Sequence, residues 1–256
     1  MNIENYLRFV PDIEQSIVDS KMDSLVVGMG PTAWLLPWIS TRLLSKLRVW
    51  GAHDAWRIYP TEDLVLFDCP MNSRRLHLAG DPLKYIINSR PKRLWIYEGN
   101  YKSYEPLLHY PVESVTTRVP MFVWHNPKHR AKRPDTDKFS LESDPVETIY
   151  ISPTGMTTLA WREGCRRIGI LGVEMNRDHE SHQWRVPVDK FFCDMADQAH
   201  QKGGLIKNLS PITALERFRS WTPSASSSAP IPGNSELAPN ASSNTASAST
   251  SLPAGR

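Results

Sequence analysis

Little in this 256-residue chain would staple it or anchor it. Its three cysteines, Cys69, Cys165 and Cys193, are an odd number with no CxxC pair, which argues against a disulfide framework or a zinc knuckle and suits a reducing compartment. No apolar run approaches the roughly 18 residues of a membrane span. The first 23 residues carry charges throughout and lack the apolar stretch of a secretory signal, so a cytoplasmic protein is expected. GxSxG, GxxxxGK[ST], HExxH and the kinase signatures are all missing, which removes the hydrolase-elbow, P-loop and zincin readings. The net charge of +3 is too small by itself to mark a nucleic-acid binder.

What is present suits one globular domain. The chain is 40% hydrophobic and 22% charged, and nine Trp, eight Tyr and seven Phe supply bulk for a single core. Residues 1–23 read as a helical extension and residues 24–221 as the domain. From Thr222 to Arg256 the chain is almost wholly Ser, Ala, Pro, Asn and Thr; such a segment buries too little apolar surface to offset its ordering entropy and is expected to be a disordered tail.

Within the domain, short apolar runs alternate with segments of helical period, the pattern of βαβ units around a mostly parallel sheet. Strands are expected at Leu25–Gly28, Leu47–Trp50, Leu64–Phe67, Arg93–Tyr97, Met121–Trp124, Ile168–Leu171 and Leu205–Asn208. Most are continuous aliphatic runs, as strands buried on both faces should be. The clearest helices are Thr154–Gly164 and Val188–His200. The fold class expected is therefore a Rossmann-like three-layer α/β sandwich. Residues 126–147 are rich in Lys, Asp and Pro and read as a mobile basic loop, in which Lys128, Arg130, Lys132 and Arg133 offer either a solvated charge run or a landing site for nucleic-acid phosphates.

Ligands of open parallel sheets bind outside the carboxyl ends of the strands, so polar and glycine-rich strand ends are the places to search. The first is Gly28-Met29-Gly30-Pro31-Thr32, where glycines permit a tight turn and close approach to a ligand, and a following helix can offer N–H groups to an anion. His53, Asp54 and Asp68 end the second and third strands. Thr154 and Gly155 open a helix, where they can cap it or hold a phosphate. Glu174, Asn176, His179 and His182 fall in a polar segment, expected to be a loop, in which a general base for a hydroxyl acceptor can sit. His179 and His182 have no clear third partner, so no metal site is expected.

In order, these motifs resemble the bacterial sialyltransferases that extend lipooligosaccharide and the wider Rossmann group related to archaeal 6-hydroxymethylpterin diphosphokinase. The family's GNGPS turn is similar to Gly28-Met29-Gly30-Pro31-Thr32, and its second strand ends in an Asn where His53 stands. Its Asn-Pro turn is similar to Asp68-Cys69-Pro70. Its Thr-Ser-Gly, helix, strand and Gly-Ile-Asp resemble Pro153-Thr154-Gly155 through Gly172-Val173-Glu174, and its ending resembles Ser210-Pro211-Ile212-Thr213-Ala214. The resemblance runs over roughly residues 24–218. It implies a transferase in which the glycine turn and Thr154-Gly155 hold a CMP-type donor and His182 deprotonates an acceptor hydroxyl, with no cofactor required. Met29, His53 and Asn176 replace the family's Asn, Asn and Tyr, which leaves the donor nucleotide open. The alternatives are an ATP-dependent diphosphotransferase holding Mg²⁺ on Asp54, Asp68 and Glu174, and a nucleic-acid-associated base-modifying module using the 128–133 cluster.

Overall fold

A computed structural model describes residues 3–222 apart from 53, 54, 56, 68–89, 106–113, 124–138, 150 and 176–178, and for 179–183 it describes the backbone path alone. Two helices, α1 (Glu4–Leu7) and α2 (Val10–Asp19), come first. Pro11 sits in the first turn of α2, where its missing N–H breaks no helical bond. Ile13 and Ile17, four apart and so on one face, are both buried.

The strands are β1 (Ser24–Val27), β2 (Arg48–Ala52), β3 (Asp63–Leu66), β4 (Arg93–Tyr97), β5 (Val115–Val119), β6 (Met121–Val123), β7 (Val146–Thr148), β8 (Arg167–Leu171) and β9 (Leu205–Asn208). Seven of them form one sheet in the order β5-β4-β3-β2-β1-β8-β9, and every neighbouring pair is parallel. A parallel pair needs a crossover connection. Between β1 and β2 it is the 3₁₀ helix Pro31–Trp38 followed by α3 (Thr41–Leu44). Beyond β4 lies α4 (Tyr101–Tyr104), before β8 lies α5 (Ser152–Arg162), before β9 lies α6 (His179–Gln201), and α7 (Glu216–Arg219) closes the domain.

Alternation along each strand divides the core in two. On β1, Val26 joins Trp50, Val65, Ile168 and Ile170 beneath Met156 and Leu159 of α5 and Phe192 and Met195 of α6. Leu25 and Val27 point the other way, where Val49 and Leu171 meet Ile13 and Ile17 of α2 and Leu35, Leu36 and Leu44. Each side of the sheet is thus covered, which is why β1, β3 and most of β2, β4 and β8 are buried throughout and why their sequences are apolar runs. The result is a Rossmann-like α/β fold with helices on both faces of a parallel sheet. Among the described residues no helix is long and apolar enough to cross a membrane.

Four local expectations need correction. β5, with the sequence VTTRV, reads as no strand because it is an edge strand in which Thr116 and Arg118 are exposed and Thr117 half-buried; Val115 itself is 65% exposed. Met121–Val123 is a strand, but it pairs with β7 in a separate two-stranded sheet. That places the end of the expected 126–147 loop inside the fold: Leu141, Val146 and Glu147 are fully buried, while residues 126–138, with the basic cluster Lys128, Arg130, Lys132 and Arg133, lie outside the described residues. Finally, α6 begins at His179 instead of Val188, so His179 and His182 stand on a helix and not in a loop. The segment HESHQWR has no apolar periodicity, and Pro187 reads as a helix boundary although it is accommodated inside the helix.

Candidate functional site

The direction of winding reverses between β1 and β8. Before the reversal, successive strands β1 to β5 are added outward on one side; after it, β8 and β9 are added on the other. Such a switch point leaves a crevice outside the strand carboxyl ends, and the residues that follow β1 and β8 line it. These are Gly28, Gly30, Pro31 and Thr32 on one side and Gly172 to Met175 on the other. Four of the sequence-predicted ligand residues, in the turn after β1, therefore stand beside a fifth, Glu174.

The two turns are laced together by the groups expected to face a ligand. Gly28 N–H donates to Leu171 O and Gly30 N–H to Gly172 O, each at 2.8 Å, and Ala33 N–H closes the 3₁₀ turn on Gly30 O at 3.1 Å. Pro31 opens that helix and has no N–H to give. Gly28 must be glycine because a Cβ there would collide with the backbone carbonyl of Gly172, and Gly30 because a Cβ would collide with Glu174 Oε2. The glycines make room for the protein itself.

Glu174 fills the mouth of the turn and is 2% exposed. Its Oε1 accepts from the Thr32 N–H at 3.1 Å and from the Thr32 hydroxyl, while its Oε2 has no hydrogen-bond partner among the described residues. Burial raises the Glu174 carboxyl above the usual carboxylate range, and the bonds donated by Thr32 oppose that shift without cancelling it. Ser210, which follows β9, completes the buried cluster: its Oγ lies 3.1 Å from Thr32 Oγ1 and accepts from Gly172 N–H at 3.0 Å. The backbone of the Glu174 turn is pinned from outside, Ala214 N–H donating to Glu174 O at 2.8 Å and Thr213 Oγ1 to Val173 O at 3.1 Å. Ser210 and Thr213 form part of the site, although the sequence placed them only in the resembling Ser210-Pro211-Ile212-Thr213-Ala214 ending; their signal is position, just beyond the last strand.

Thr154 and Gly155 stand on the same edge of the sheet but not in the same pocket. Gly155 packs against the ring of Phe67, which follows β3, two strands from β1 and so ~10 Å away across the sheet. The Thr154 hydroxyl is engaged locally, 2.8 Å from Thr148 Oγ1 and 2.7 Å from Ile151 O, and ties the β7–α5 corner. The amino end of α5 therefore lies on the carboxyl edge of the sheet, as does that of α6, which opens five residues after Glu174. His179 and His182 occupy the first turn of α6. His53, Asp54, Asp68 and Asn176 lie outside the described residues, so of the residues suggested for magnesium only Glu174 is described. Among the described residues no group of three or more His, Cys, Asp or Glu side chains is arranged to hold a metal ion.

The amino edge of the sheet holds a second buried carboxylate that no motif marks. Asp63, fully buried at the start of β3, is held by both neighbouring strands: Arg48 Nε and Nη2 at 2.7 and 2.9 Å, Arg93 Nε and Nη2 at 2.8 and 3.2 Å, and Trp95 Nε1 at 2.7 Å. Burial works to raise its carboxyl, but the bonds from Arg48, Trp95 and Arg93 overcome that and hold it below the ordinary Asp range. This cluster lies at the end of the sheet opposite the crevice and binds strands β2, β3 and β4 together.

Fold and crevice together define a Rossmann-like α/β protein whose switch point is occupied by its own side chain. No known family model, curated protein sequence or solved structure matches the chain.

Proposed function

We propose that the chain is a nucleotide-dependent transferase of the glycosyltransferase type, moving a group from a nucleotide-activated donor to a hydroxyl acceptor. The observation that carries this reading is the meeting of Gly30, Thr32, Glu174 and Ser210 at the switch point of a parallel sheet, with the amino ends of α5 and α6 on the same edge. Helix amino ends favour anions through their free N–H groups and the helix dipole, and the switch point is where such folds hold nucleotides. The ordered motif resemblance to the lipooligosaccharide sialyltransferases supports the transfer chemistry. In this reading the donor nucleotide stretches from the glycine turn toward Thr154 and Gly155, and His182 on the first turn of α6 removes the acceptor proton.

The test is a thermal-shift panel on the full chain with CMP, CDP, UDP, GDP and ATP, with and without Mg²⁺. A true donor nucleotide at 100 times its Kd stabilises the fold by about 2.7 kcal/mol. Absence of a shift with every nucleotide overturns the proposal, and a shift confined to ATP with Mg²⁺ replaces it by the diphosphotransfer reading. Once a donor is identified, His182→Ala should slow turnover by roughly 100-fold or more; full-rate turnover removes His182 from the role of base.

A further inference from the structure

We propose that Glu174 is a built-in plug: its carboxylate occupies the oxyanion cradle of the glycine turn, and a phosphoryl group enters only by exchanging places with it. This rests on the crevice being a ligand site, as proposed above, and adds how that site is closed.

The cradle is defined by what Glu174 touches. Of the amides after β1, those of Gly28, Gly30 and Ala33 are engaged with backbone carbonyls. The Thr32 N–H is engaged with a side chain, and the Thr32 hydroxyl meets the same carboxylate oxygen. An N–H and an O–H converging at the start of the eight-residue 3₁₀ helix Pro31–Trp38, beside a glycine with no Cβ, form the donor set that a phosphoryl oxygen would use. A carboxylate is a smaller oxyanion in that place. It is also an imperfect one, because Oε2 is buried with no partner among the described residues, and an unmet buried polar atom favours any state that returns it to water.

Release requires little beyond a side-chain rotation. The backbone of residues 173 and 174 is held by Thr213 and Ala214, so Glu174 can swing out while the turn keeps its path. Two residues in the left-handed region bracket it, Gly172 at φ +78° and Met175 at φ +56°; the second is an uncommon conformation for a residue with a side chain, maintained by its surroundings and of the kind that collects at switch regions. On exchange, one oxyanion leaves the Thr32 donors and another takes them, with Ser210 Oγ at hand for a further phosphoryl oxygen. No covalent bond is made or broken.

Inorganic pyrophosphate is the probe. The full chain and its Glu174→Ala, Glu174→Asp and Glu174→Gln variants are titrated by calorimetry, with the Thr32 amide followed by NMR. Removing the plug in Glu174→Ala should tighten binding by about tenfold or more, equivalent to ~1.4 kcal/mol. Glu174→Asp, one methylene shorter and less demanding of the fold, should give a smaller gain, and Glu174→Gln, which fills the same space, none. Adding Thr32→Val to Glu174→Ala should abolish the gain. If neither Glu174→Ala nor Glu174→Asp binds pyrophosphate more tightly than the unaltered chain, the plug does not exist. The nucleotide panel separates the two claims: a pyrophosphate gain without any nucleotide binding overturns the transferase reading alone, whereas a nucleotide that stabilises the unaltered chain and Glu174→Ala equally overturns the plug alone.

Discussion

The two ends of the sheet each bury a carboxylate and treat it in opposite ways. At the amino edge Asp63 receives five hydrogen bonds from three side chains, two of them guanidinium groups. At the carboxyl edge Glu174 has one oxygen bonded to Thr32 and the other without a partner among the described residues. A saturated carboxylate lowers the energy of one arrangement and makes it rigid; an unsaturated one leaves an arrangement open to replacement. The contrast assigns stability to one end and exchange to the other.

The largest expected effect comes from breaking the saturated end. Asp63→Asn removes the counter-charge that Arg48 and Arg93 share, leaving Arg48 with the Glu163 carboxylate at 3.7 Å, and should lower stability by about 3 kcal/mol in a urea melt, the low end for a buried pair because the two arginine side chains are 17% and 35% exposed. A loss under about 1 kcal/mol would mean that the cluster is ornamental.

Next come the glycines, which distinguish fixed from movable neighbours. Gly28→Ala drives a Cβ into the backbone carbonyl oxygen of Gly172, whereas Gly30→Ala meets chiefly the end of the flexible Glu174 side chain, and the same Gly172 oxygen less severely, at 2.8 Å. The first should cost about 3 kcal/mol and the second nearer 1 kcal/mol. Combining Gly30→Ala with Glu174→Ala should recover part of the cost, a coupling of roughly 1 kcal/mol in a double-mutant cycle. Strict additivity would show that Glu174 does not control the space beside Gly30.

The smallest effect is the most diagnostic, because the two carboxylates give pH dependences of opposite sign. Asp63 has a folded pKa below its unfolded one, so its contribution is present above the ordinary Asp value of about 3.9 and is lost as pH falls toward the depressed folded value. Glu174 has a folded pKa above its unfolded one, so its contribution is present below the ordinary Glu value of about 4.3 and is lost as pH rises through the raised folded value. Glu174→Gln should therefore flatten the decline of stability above that ordinary value and, at pH 8, raise stability by about 1 kcal/mol. An unchanged slope would place the Glu174 carboxyl in water.

Much of this fold was legible because burial on both faces writes itself into sequence. Leu25–Val27, Leu64–Leu66 and Ile168–Leu171 are apolar runs since each side chain meets a helix layer, and the glycine turn after β1 announces the first strand end. β5 escaped because an edge strand half in water has no such run. The start of α6 escaped because its first turns carry polar residues and a proline. The site was half legible: Gly28, Gly30, Thr32 and Glu174 were each suspected singly, but as ligand contacts, and nothing local says that Glu174 would occupy the donors of a turn 142 residues earlier.

By itself, then, the sequence determined the alternation of strands and helices and the glycine positions, because propensity, periodicity and composition act over a few neighbouring residues. The tertiary structure alone decided which strands are neighbours, that Asp63 lies between two arginines and that Glu174 closes the crevice. Those are contacts between distant segments, and a carboxylate's worth depends on the partners that the fold brings to it.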